Sequence, residues 1–363
     1  MARNHKALDQ LQPWRDSAQE LECVMVVPEA PNTKTFAFRA PDDSWFRYQP
    51  GQFLTVELPT PEGSLHRTYT ISSSPSRPLS LTLTVKAQEG SVGSRWMLDN
   101  LKVGDRLKAK GPGGLFSITN YPNDKYLFLS AGSGITPMMS MMRWLYDYGT
   151  APDVTLINCA RSPAELIFRN DLERMAARLP SIRLAWIVEE PDPFDVWTGF
   201  LGRFNQLILE LTCPDYATRE IFCCGPAPFM EGVRDVLNVA GFDFDHYHEE
   251  SFQQPIRRSE DIPEWDEVVG DVPDEEASAR VVFTQSNKTV VCHQTDTLLD
   301  VAKRAGLFVP SSCQFGVCGT CKLKKRAGEV HMVHNGGIDD EEIEEGYVLA
   351  CCSNPIGRVE LEF

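Results

Sequence analysis

Short runs of alternating hydrophobic and polar residues fill the first part of the chain. Phe53–Leu58 and Leu79–Val85 alternate with the period of two that is typical of strands with one buried face. Pro and Gly residues separate such runs between Leu21 and Phe116. This pattern predicts an antiparallel β-barrel.

From Lys125 onward, apolar strand-like runs alternate with longer stretches of helical periodicity. The strand-like runs are Tyr126–Leu129, Val154–Asn158, Arg183–Val188 and Ile221–Cys224, and the helical stretches are Pro137–Tyr148, Pro163–Leu179 and Pro228–Ala240. A regular alternation of strands and helices predicts an α/β domain whose parallel sheet is covered by helices on its faces.

The pattern breaks between Gln253 and Ala279, where the sequence is rich in Pro, Asp and Glu and has little periodicity, as a tether between domains does. A chain of 363 residues is long enough for two or three domains. We therefore predict a barrel over residues 1–120, an α/β domain over 121–254, an acidic linker over 255–279 and a small C-terminal domain over 280–363.

Composition narrows the classes of function. The net charge of −16 argues against binding to nucleic acid or to anionic membranes. No apolar run approaches the length of a membrane span, and the N-terminal residues lack the apolar core of a signal peptide. We therefore expect a cytoplasmic protein. Because 42% of its residues are hydrophobic, we also expect well-packed cores.

The C-terminal block contains four cysteines with the spacing C-x4-C-x2-C…C, at Cys313, Cys318, Cys321 and Cys351. This spacing is typical of a plant-type 2Fe-2S cluster, in which three ligands come from one tight loop and the fourth from a separate segment. A structural zinc site is the alternative, but zinc cysteines usually come as two close pairs. Cys352 could replace Cys351 as the fourth ligand; on an extended segment only one of the two faces the cluster, and we favour Cys351.

A polar and aromatic strand in the barrel suggests a flavin site. Arg67, Tyr69 and Thr70 offer a positive charge for a phosphate, an aromatic ring for the isoalloxazine and a donor for its N5 or O4. Arg67 and Tyr69 share one face of the predicted strand, whereas Thr70 points to the other face or donates from its backbone. The alternative is an ordinary strand edge rich in Ser and Thr.

Two further segments have the composition of phosphate-binding loops. The stretch from Lys86 to Ser94 leads from a strand through a Gly/Ser loop into a helix that we expect to begin near Ser94, where free amides can hold a phosphate. A plain turn with an N-cap serine is the alternative, and it is the more common explanation where no other phosphate-site signal exists. In the α/β domain, Gly132-Ser-Gly134-Ile-Thr136-Pro links a buried strand to a helix, but it lacks the third glycine of the dinucleotide fingerprint.

A similar strand, glycine turn and helix start occur at Cys224-Gly225-Pro226. Both glycine loops follow strands of the predicted parallel sheet, and ligands bind at the carboxyl ends of such strands. A tight strand-to-helix connection remains the alternative for each loop taken alone.

In this order, the motifs resemble the ferredoxin-NADP reductase superfamily, specifically its fusions of a flavin barrel, a nicotinamide domain and a C-terminal plant-type ferredoxin. The resemblance rests on R-x-Y-S/T-x-x-S, G-x-G-x-T-P, C-G-P and C-x4-C-x2-C, and covers nearly the whole chain. It implies three folds: an antiparallel β-barrel flavin domain, an α/β parallel-sheet nucleotide domain and an α+β, β-grasp ferredoxin domain.

The resemblance also implies roles by position. Flavin contacts are expected from Arg67, Tyr69, Thr70, Lys86, Val92, Gly93 and Ser94. Nicotinamide contacts are expected from Gly132, Gly134, Thr136, Cys224, Gly225 and Pro226. Glu250-Ser-Phe252 resembles the family's E-x-F ending near the flavin edge, with an ordinary strand end as the alternative. Catalytic roles are expected for Thr70, Cys224 and Glu250.

The implied function is electron transfer. A hydride carries two electrons and a 2Fe-2S cluster accepts one, so a flavin must lie between them. FAD is expected rather than the FMN of a related branch. Arg161 could hold the 2′-phosphate of NADPH, but no serine accompanies it in the usual arrangement, so NADH is the expected donor.

Such fusions resemble reductase components of Rieske oxygenases, including those that demethylate glycine betaine, and also the reductase of the hybrid-cluster protein. We expect a Rieske oxygenase as the electron acceptor. A soluble diaphorase or oxidase and a redox sensor are the alternatives. The acidic runs Asp339–Glu342 and Glu344–Glu345 could dock a basic acceptor, or they could form only a solvated face.

Overall fold

A computed structural model describes residues 11–14, 19–61, 63–88, 90–149, 153–192, 196–252, 279–293, 296–307, 309, 316, 319, 321–332, 334 and 337–363. The chain divides into two compact units, Met1–Gln253 and Gln254–Phe363. Within the described ranges, no helix is both long and apolar enough to cross a membrane. The predicted linker over 255–279 lies almost entirely outside the described residues, and the domain boundaries stay predictions.

The first sheet is antiparallel throughout and confirms the predicted barrel. Its strands, in the spatial order β4-β3-β6-β1-β2-β5, are β1 (Gln19–Ala30), β2 (Thr33–Arg39), β3 (Phe53–Thr60), β4 (Gly63–Thr70), β5 (Leu81–Lys86) and β6 (Arg106–Gly113). A bridge between Ile71 and Leu83 brings the two outer strands together and closes the barrel. Inward residues such as Phe36 and Phe38 are fully buried in its core, and helix α1 (Val92–Asn100) packs against β3 and β5.

The second sheet is parallel throughout, as the alternation of strands and helices predicts. Its strands, in the order β10-β9-β8-β7-β11-β12, are β7 (Lys125–Ala131), β8 (Asp153–Ala160), β9 (Ile182–Val188), β10 (Phe200–Leu201), β11 (Glu220–Cys224) and β12 (Tyr247–Glu250). The helices are α2 (Ile135–Tyr148), α3 (Arg169–Arg178), α4 (Gln206–Thr212) and α5 (Ala227–Val239). The strand order reverses between β7 and β11, which creates the crevice where such sheets bind ligands.

The C-terminal unit contains a mixed five-stranded sheet with two short helices, which confirms the α+β prediction. Its strands, in the order β14-β13-β17-β15-β16, are β13 (Ala279–Phe283), β14 (Lys288–Cys292), β15 (Lys322–Met332), β16 (Tyr347–Leu349) and β17 (Ser353–Glu362), and its helices are α6 (Leu298–Arg304) and α7 (Asp340–Glu344). Strands β13 and β17 run parallel, and the other pairs are antiparallel. The core includes Cys321 and Cys351.

One predicted helix is wrong in extent. The stretch Pro163–Leu179 forms a 3-10 turn at Pro163–Glu165 and then α3 only from Arg169. Phe168, between them, takes the left-handed conformation with φ of +61° and is buried. A helix cannot pass through such a residue, so burial of the Phe168 ring overrides the continuous helical periodicity of the sequence.

Arg219 stabilises the second sheet at the end that lies opposite the crevice. Its side chain is fully buried and donates to Asp153 and Asp215, at 2.9 Å each, and to the carbonyl oxygens of Tyr126 and Asp153. These bonds hold the pKa of Asp215 well below its ordinary range, with the Arg219 hydrogen bond as the largest cause. One guanidinium therefore joins the starts of β7 and β8 to the segment before β11.

We expect Arg219→Met to lower the free energy of unfolding by about 2 kcal/mol. This is less than the ~3–5 kcal/mol typical of breaking a fully buried ion pair, because Asp153 and Asp215 keep about a third of their side chains exposed. Denaturant unfolding measures the change. Arg183→Met is the matched control, since half-exposed Arg183 also pairs with Asp153 and should cost under ~0.5 kcal/mol. Equal losses in both variants would contradict this role for Arg219.

Candidate cofactor sites

The strand predicted to hold a flavin is β4, and it presents its side chains as the alternation requires. Thr68 points to one face, where its hydroxyl lies 3.3 Å from that of Thr55 on β3. Tyr69 is half-buried against the barrel core, and burial raises the pKa of its hydroxyl, which therefore stays protonated. Thr70 is 5% exposed at the end of the strand. Arg67 keeps an exposed guanidinium.

The start of α1 lies directly against this strand. An ideal Cβ at Gly93 would lie 3.0 Å from Cγ of Arg67 and 3.1 Å from Cδ1 of Leu58, so a larger residue would push the helix away. The helix begins at Val92, after the N-cap Ser91, slightly earlier than predicted, and the hydroxyl of Ser94 donates to that of Ser91. Free helix amides beside an arginine form an anion site, and this arrangement fits the phosphate of a flavin.

The two glycine loops of the second sheet meet at the crevice between β7 and β11. An ideal Cβ at Gly134 would lie 2.1 Å from the carbonyl oxygen of Cys224, and one at Gly225 would lie 3.1 Å from Cβ of Ala131. Gly132 takes the left-handed conformation with φ of +54°. The hydroxyl of Thr136 donates to the carbonyl of Ser133, which closes the first turn after the loop. Two backbone loops therefore pack against each other without side chains between them, which suits an extended nucleotide.

A cavity of about 1100 Å³ opens beside these loops and extends to the barrel. Its lining includes Gly132 and Pro226 from the loops, Pro31 and Lys86 from the barrel, and Arg161 after β8. Its volume lies just above the ~300–1,000 Å³ that is typical of small-molecule and cofactor sites.

The structure places Lys86 in this cavity. Its ammonium group lies 2.7 Å from the carboxylate of Glu165, in the turn before α3, and both side chains are 23% exposed. Lys86, predicted to contact the flavin, thus lies at the boundary between the barrel and the nucleotide cleft. Arg67 and Gly93, by contrast, lie together at the start of α1.

Strand β12 ends at Glu250 and places this residue beside Cys224. The two residues are register partners in the parallel pair of β11 and β12. Glu250 is half-buried as a residue, but its Oε2 atom is enclosed and has no hydrogen-bond partner among the residues that the structure describes. Burial raises the pKa of this carboxyl to about 8, and burial also raises the pKa of the Cys224 thiol. Both groups are therefore mainly protonated at neutral pH. Phe252, two residues further on, is 42% exposed.

Two of the four predicted cluster ligands belong to the described residues. Cys321 is 2% exposed and Cys351 is 7% exposed. The amide of Gly316 donates to the sulfur of Cys351 at 3.3 Å, and the amide of Cys351 donates to the sulfur of Cys321 at 3.4 Å. Backbone donors of this kind favour thiolates and tune the potential of an iron-sulfur cluster, so both cysteines fit such a group. Cys313 and Cys318 lie outside the described residues.

Cys351 and Cys352 do not lie on an extended segment as we expected. They belong to a 3-10 turn, Ala350–Cys352, that follows β16. The thiol of Cys352 is half-buried and donates to the carbonyl oxygen of Leu349 at 3.7 Å. The amide donor of Gly316 supports Cys351 as the ligand, and the assignment stays a prediction.

Part of the acidic run supports local structure. Asp339 and Glu342 form a reciprocal capping box at the start of α7, and Glu342 also pairs with Lys322. These two carboxylates stabilise the helix itself. The exposed residues that remain for contact with an acceptor include Glu341, Glu344 and Glu345.

Several residues of the cleft were not predicted. Glu165, Glu189 and Arg203 all line the cavity, and Arg203 lies 3.3 Å from Glu189. Glu189 directly follows β9, so its position at the carboxyl end of a predicted strand could have identified it. No sequence pattern identified Glu165, because it lies in a turn where we had predicted a continuous helix over Pro163–Leu179.

Three family models match successive parts of the chain. Residues 23–118 match an oxidoreductase FAD-binding domain, residues 128–235 an oxidoreductase NAD-binding domain, and residues 282–355 a 2Fe-2S iron-sulfur cluster binding domain. The matches confirm the expected cofactors and their order along the chain.

Characterised relatives align with nearly the full length. The stachydrine N-demethylase reductase subunit of Rhizobium meliloti is 57% identical, over 97% of this chain and 98% of the relative. The glycine betaine monooxygenase reductase subunit of Chromohalobacter salexigens is 43% identical, over 97% of each chain. The ferredoxin reductase component of 3-ketosteroid-9-alpha-monooxygenase from Mycolicibacterium smegmatis is 34% identical, over 95% of this chain and 96% of the relative.

Solved structures share the fold. Phthalate dioxygenase reductase superposes with a TM-score of 0.60 at 23% identity, covering 96% of this chain and 98% of that one. An intact type IV self-sufficient cytochrome P450 monooxygenase gives a TM-score of 0.69 at 22% identity and covers 95% of this chain, which matches 41% of the P450 chain. The relatives and the three domain matches show that the chain belongs to the family of FAD- and 2Fe-2S-containing oxidoreductases that serve as reductase components of oxygenases.

Proposed function

We propose that this protein is the NADH-dependent reductase of a cytoplasmic Rieske-type oxygenase that demethylates a quaternary ammonium compound such as stachydrine or glycine betaine. The observation that carries the proposal is the 57% identity with a stachydrine N-demethylase reductase subunit over 97% of the chain. The 43% identity with a glycine betaine monooxygenase reductase subunit supports the same class of substrate.

In this proposal the barrel holds FAD. Arg67, Gly93 and Ser94 bind its phosphate, Tyr69 packs against its ring, and Thr70 donates to its N5 edge. Bound FAD supplies the exchange between a two-electron hydride and the single electrons that a 2Fe-2S cluster accepts. The chain's own residues bind and orient the cofactors, so none of them acts as a general acid or base on the oxygenase's substrate.

The nucleotide binds in the cleft beside the paired glycine loops. Gly132 and Gly134 allow its pyrophosphate to approach the backbone at the start of α2. Cys224, Gly225 and Pro226 form the opposite wall, and Glu250 presents a protonated carboxyl beside Cys224 at neutral pH. NADH is the proposed donor because Glu165 and Glu189 pair with Lys86 and Arg203 and so leave these two cleft bases less able to bind a 2′-phosphate, although Arg161 is nearby.

In this proposal the cluster is held by Cys313, Cys318, Cys321 and Cys351. The exposed carboxylates near α7 would contribute to docking of the oxygenase. A contribution of surface charges to the association rate should weaken as salt is added.

The test is reconstitution with purified oxygenase components. The reductase, a candidate Rieske oxygenase and NADH are mixed with stachydrine or glycine betaine, and oxygen uptake and formaldehyde release are measured. We expect substrate-dependent uptake at a rate at least about tenfold higher with NADH than with NADPH. Electron delivery only to hybrid-cluster protein, or only to small acceptors, would overturn the proposal and favour the hybrid-cluster reductase or the diaphorase.

A further inference from the structure

One face of helix α2 is bonded to the loop that follows the flavin strand. The hydroxyl of Ser140 donates to the carbonyl oxygen of Ser73 at 2.7 Å, and Arg143 donates to the carbonyl oxygen of Ser72 at 2.8 Å. One turn further, Asp147 accepts from Arg77 at 2.9 Å. Positions 140, 143 and 147 lie on the same side of a helix, so the contacts form one continuous joint.

This joint connects the two cofactor sites through the backbone. Helix α2 begins at Ile135, directly after the loop Gly132–Gly134. The loop over residues 72–77 begins two residues after β4 ends at Thr70. A shift of α2 along its axis would therefore change the distance between the nucleotide loop and the strand that is proposed to hold the flavin.

Arg143 is the buried part of the joint. Its side chain is 20% exposed, and its second nitrogen donates to Asp171 of α3 at 3.2 Å. Its guanidinium also lies over the ring of Phe168, 5.0 Å from the centroid. Arg143 thus bonds the barrel loop while it is held by the start of α3.

Ser72 is fixed from both sides. Arg143 holds its carbonyl oxygen, and its hydroxyl lies 2.8 Å from the hydroxyls of both Thr82 and Thr84. Ser72 is fully buried. A residue with this many partners has little freedom, so Ser72 is a fixed point of the barrel against which Arg143 holds α2.

We propose that Arg143 is a positioning residue that sets the alignment of the nucleotide loop with the flavin strand. The proposal rests on the function proposed above, because it concerns hydride transfer between the two bound cofactors. Arg143 acts through its bond to Ser72 and through α2. Hydride transfer needs the reacting atoms at close contact, so a misplacement of about 1 Å can slow it by up to ~100-fold.

The test compares Arg143→Met with wild-type holoprotein in anaerobic stopped-flow mixing with NADH. We expect the limiting rate of flavin bleaching to fall about tenfold, while the NADH concentration at half-saturation changes less than about twofold. Flavin and cluster content should stay at wild-type levels. Arg143→Lys, which keeps one donor for Ser72, should recover part of the rate.

Arg174→Met is the matched control, because exposed Arg174 also pairs with Asp171, at 3.2 Å, but makes no bond to the barrel loop. It should behave as wild type. A second readout is the visible circular dichroism of the bound flavin when NAD+ is added. We expect a spectral change in wild type that is reduced in Arg143→Met, although calorimetry shows equal NAD+ affinity.

If Arg143→Met loses its flavin or fails to fold, Ser140→Ala removes only the bond to Ser73 and should lower the limiting rate by about twofold to threefold. A wild-type limiting rate in Arg143→Met, or in Ser140→Ala when the first variant does not fold, would overturn the inference. Wild-type protein that NADH does not bleach at all would instead overturn the proposed function.

Discussion

Cys351→Ala should abolish transfer of electrons beyond the flavin. We expect the absorbance and the paramagnetic signal of a 2Fe-2S cluster to disappear, because such clusters need four protein ligands. NADH-driven reduction of the oxygenase should fall by roughly 100-fold or more, whereas reduction of ferricyanide, which the flavin can serve directly, should change little. Cluster content by spectroscopy and the two acceptor assays together measure the effect.

The neighbouring thiol provides the control. Cys352→Ala should keep its cluster, because the amide of Gly316 donates to the sulfur of Cys351, whereas the thiol of Cys352 is directed to the carbonyl of Leu349. Some loss of stability, about 1 kcal/mol, is expected from the removed packing. The reverse pattern, with the cluster lost only in Cys352→Ala, would show that the fourth ligand has been assigned to the wrong cysteine.

Glu250→Gln should slow NADH-driven electron transfer and remove a pH dependence. Burial raises the pKa of the Glu250 carboxyl from its ordinary value of 4.5 to about 8, so the group is protonated at pH 7 and ionises above pH 8. We expect the protonated carboxyl to be the form that supports NADH-driven electron transfer, so the wild-type rate of this transfer should fall as the pH rises through about 8. The amide does not titrate, so we expect a flat profile in this range and a rate about 100-fold lower at pH 7.

Stability gives an independent check on the same carboxyl. A folded-state pKa above the unfolded value means that the folded protein binds the proton more tightly. The stabilisation from this group is fully present below pH 4.5 and is lost as the pH rises to about 8. The melting temperature of Glu250→Gln should therefore rise relative to wild type between pH 5 and pH 9. Glu249→Gln is the control, since Glu249 pairs with Arg234 and is partly exposed.

A Glu249→Gln variant with the pH profile expected for Glu250→Gln would contradict this account of Glu250. So would a wild-type rate that is constant between pH 6 and pH 9. Either result would leave Glu250 as an ordinary buried strand end, the alternative that its sequence context had also allowed.

The three folds and the main loops were predictable because they depend on local patterns. The alternating run Phe53–Leu58 predicts the strand β3, although Phe53 to Val56 are all buried rather than every second residue. The glycine pair Gly132 and Gly134 marks a tight turn after an apolar strand. The cysteine spacing is equally local. The fold class and the FAD-, NAD- and 2Fe-2S-binding domains are accordingly confirmed.

Features that depend on distant residues were not predictable. The ion pair of Lys86 and Glu165 joins positions 79 residues apart, and the buried Arg219 reaches Asp153 across 66 residues. The bond from Arg143 to Ser72 spans 71 residues. Periodicity records burial and turns but not which side chains meet across a fold, so these contacts appear only in three dimensions.

Phe168 illustrates the same limit within a short segment. Its sequence surroundings favour a helix, and its left-handed conformation is uncommon for a residue with a large side chain. The conformation is tolerated where the Phe168 ring is buried under Arg143. A packing contact thus decides the local backbone.

An anaerobic titration of the purified protein with NADH, in which flavin and iron-sulfur absorbance are followed together, tests the relay of electrons from NADH through FAD to the 2Fe-2S cluster. A flavin that takes two electrons and a cluster that takes one should both be bleached by about one and a half equivalents of NADH. Bleaching of the flavin by about one equivalent, with the cluster unchanged even after excess NADH, would show that the cluster is not the internal acceptor and would contradict the relay from NADH through FAD to 2Fe-2S.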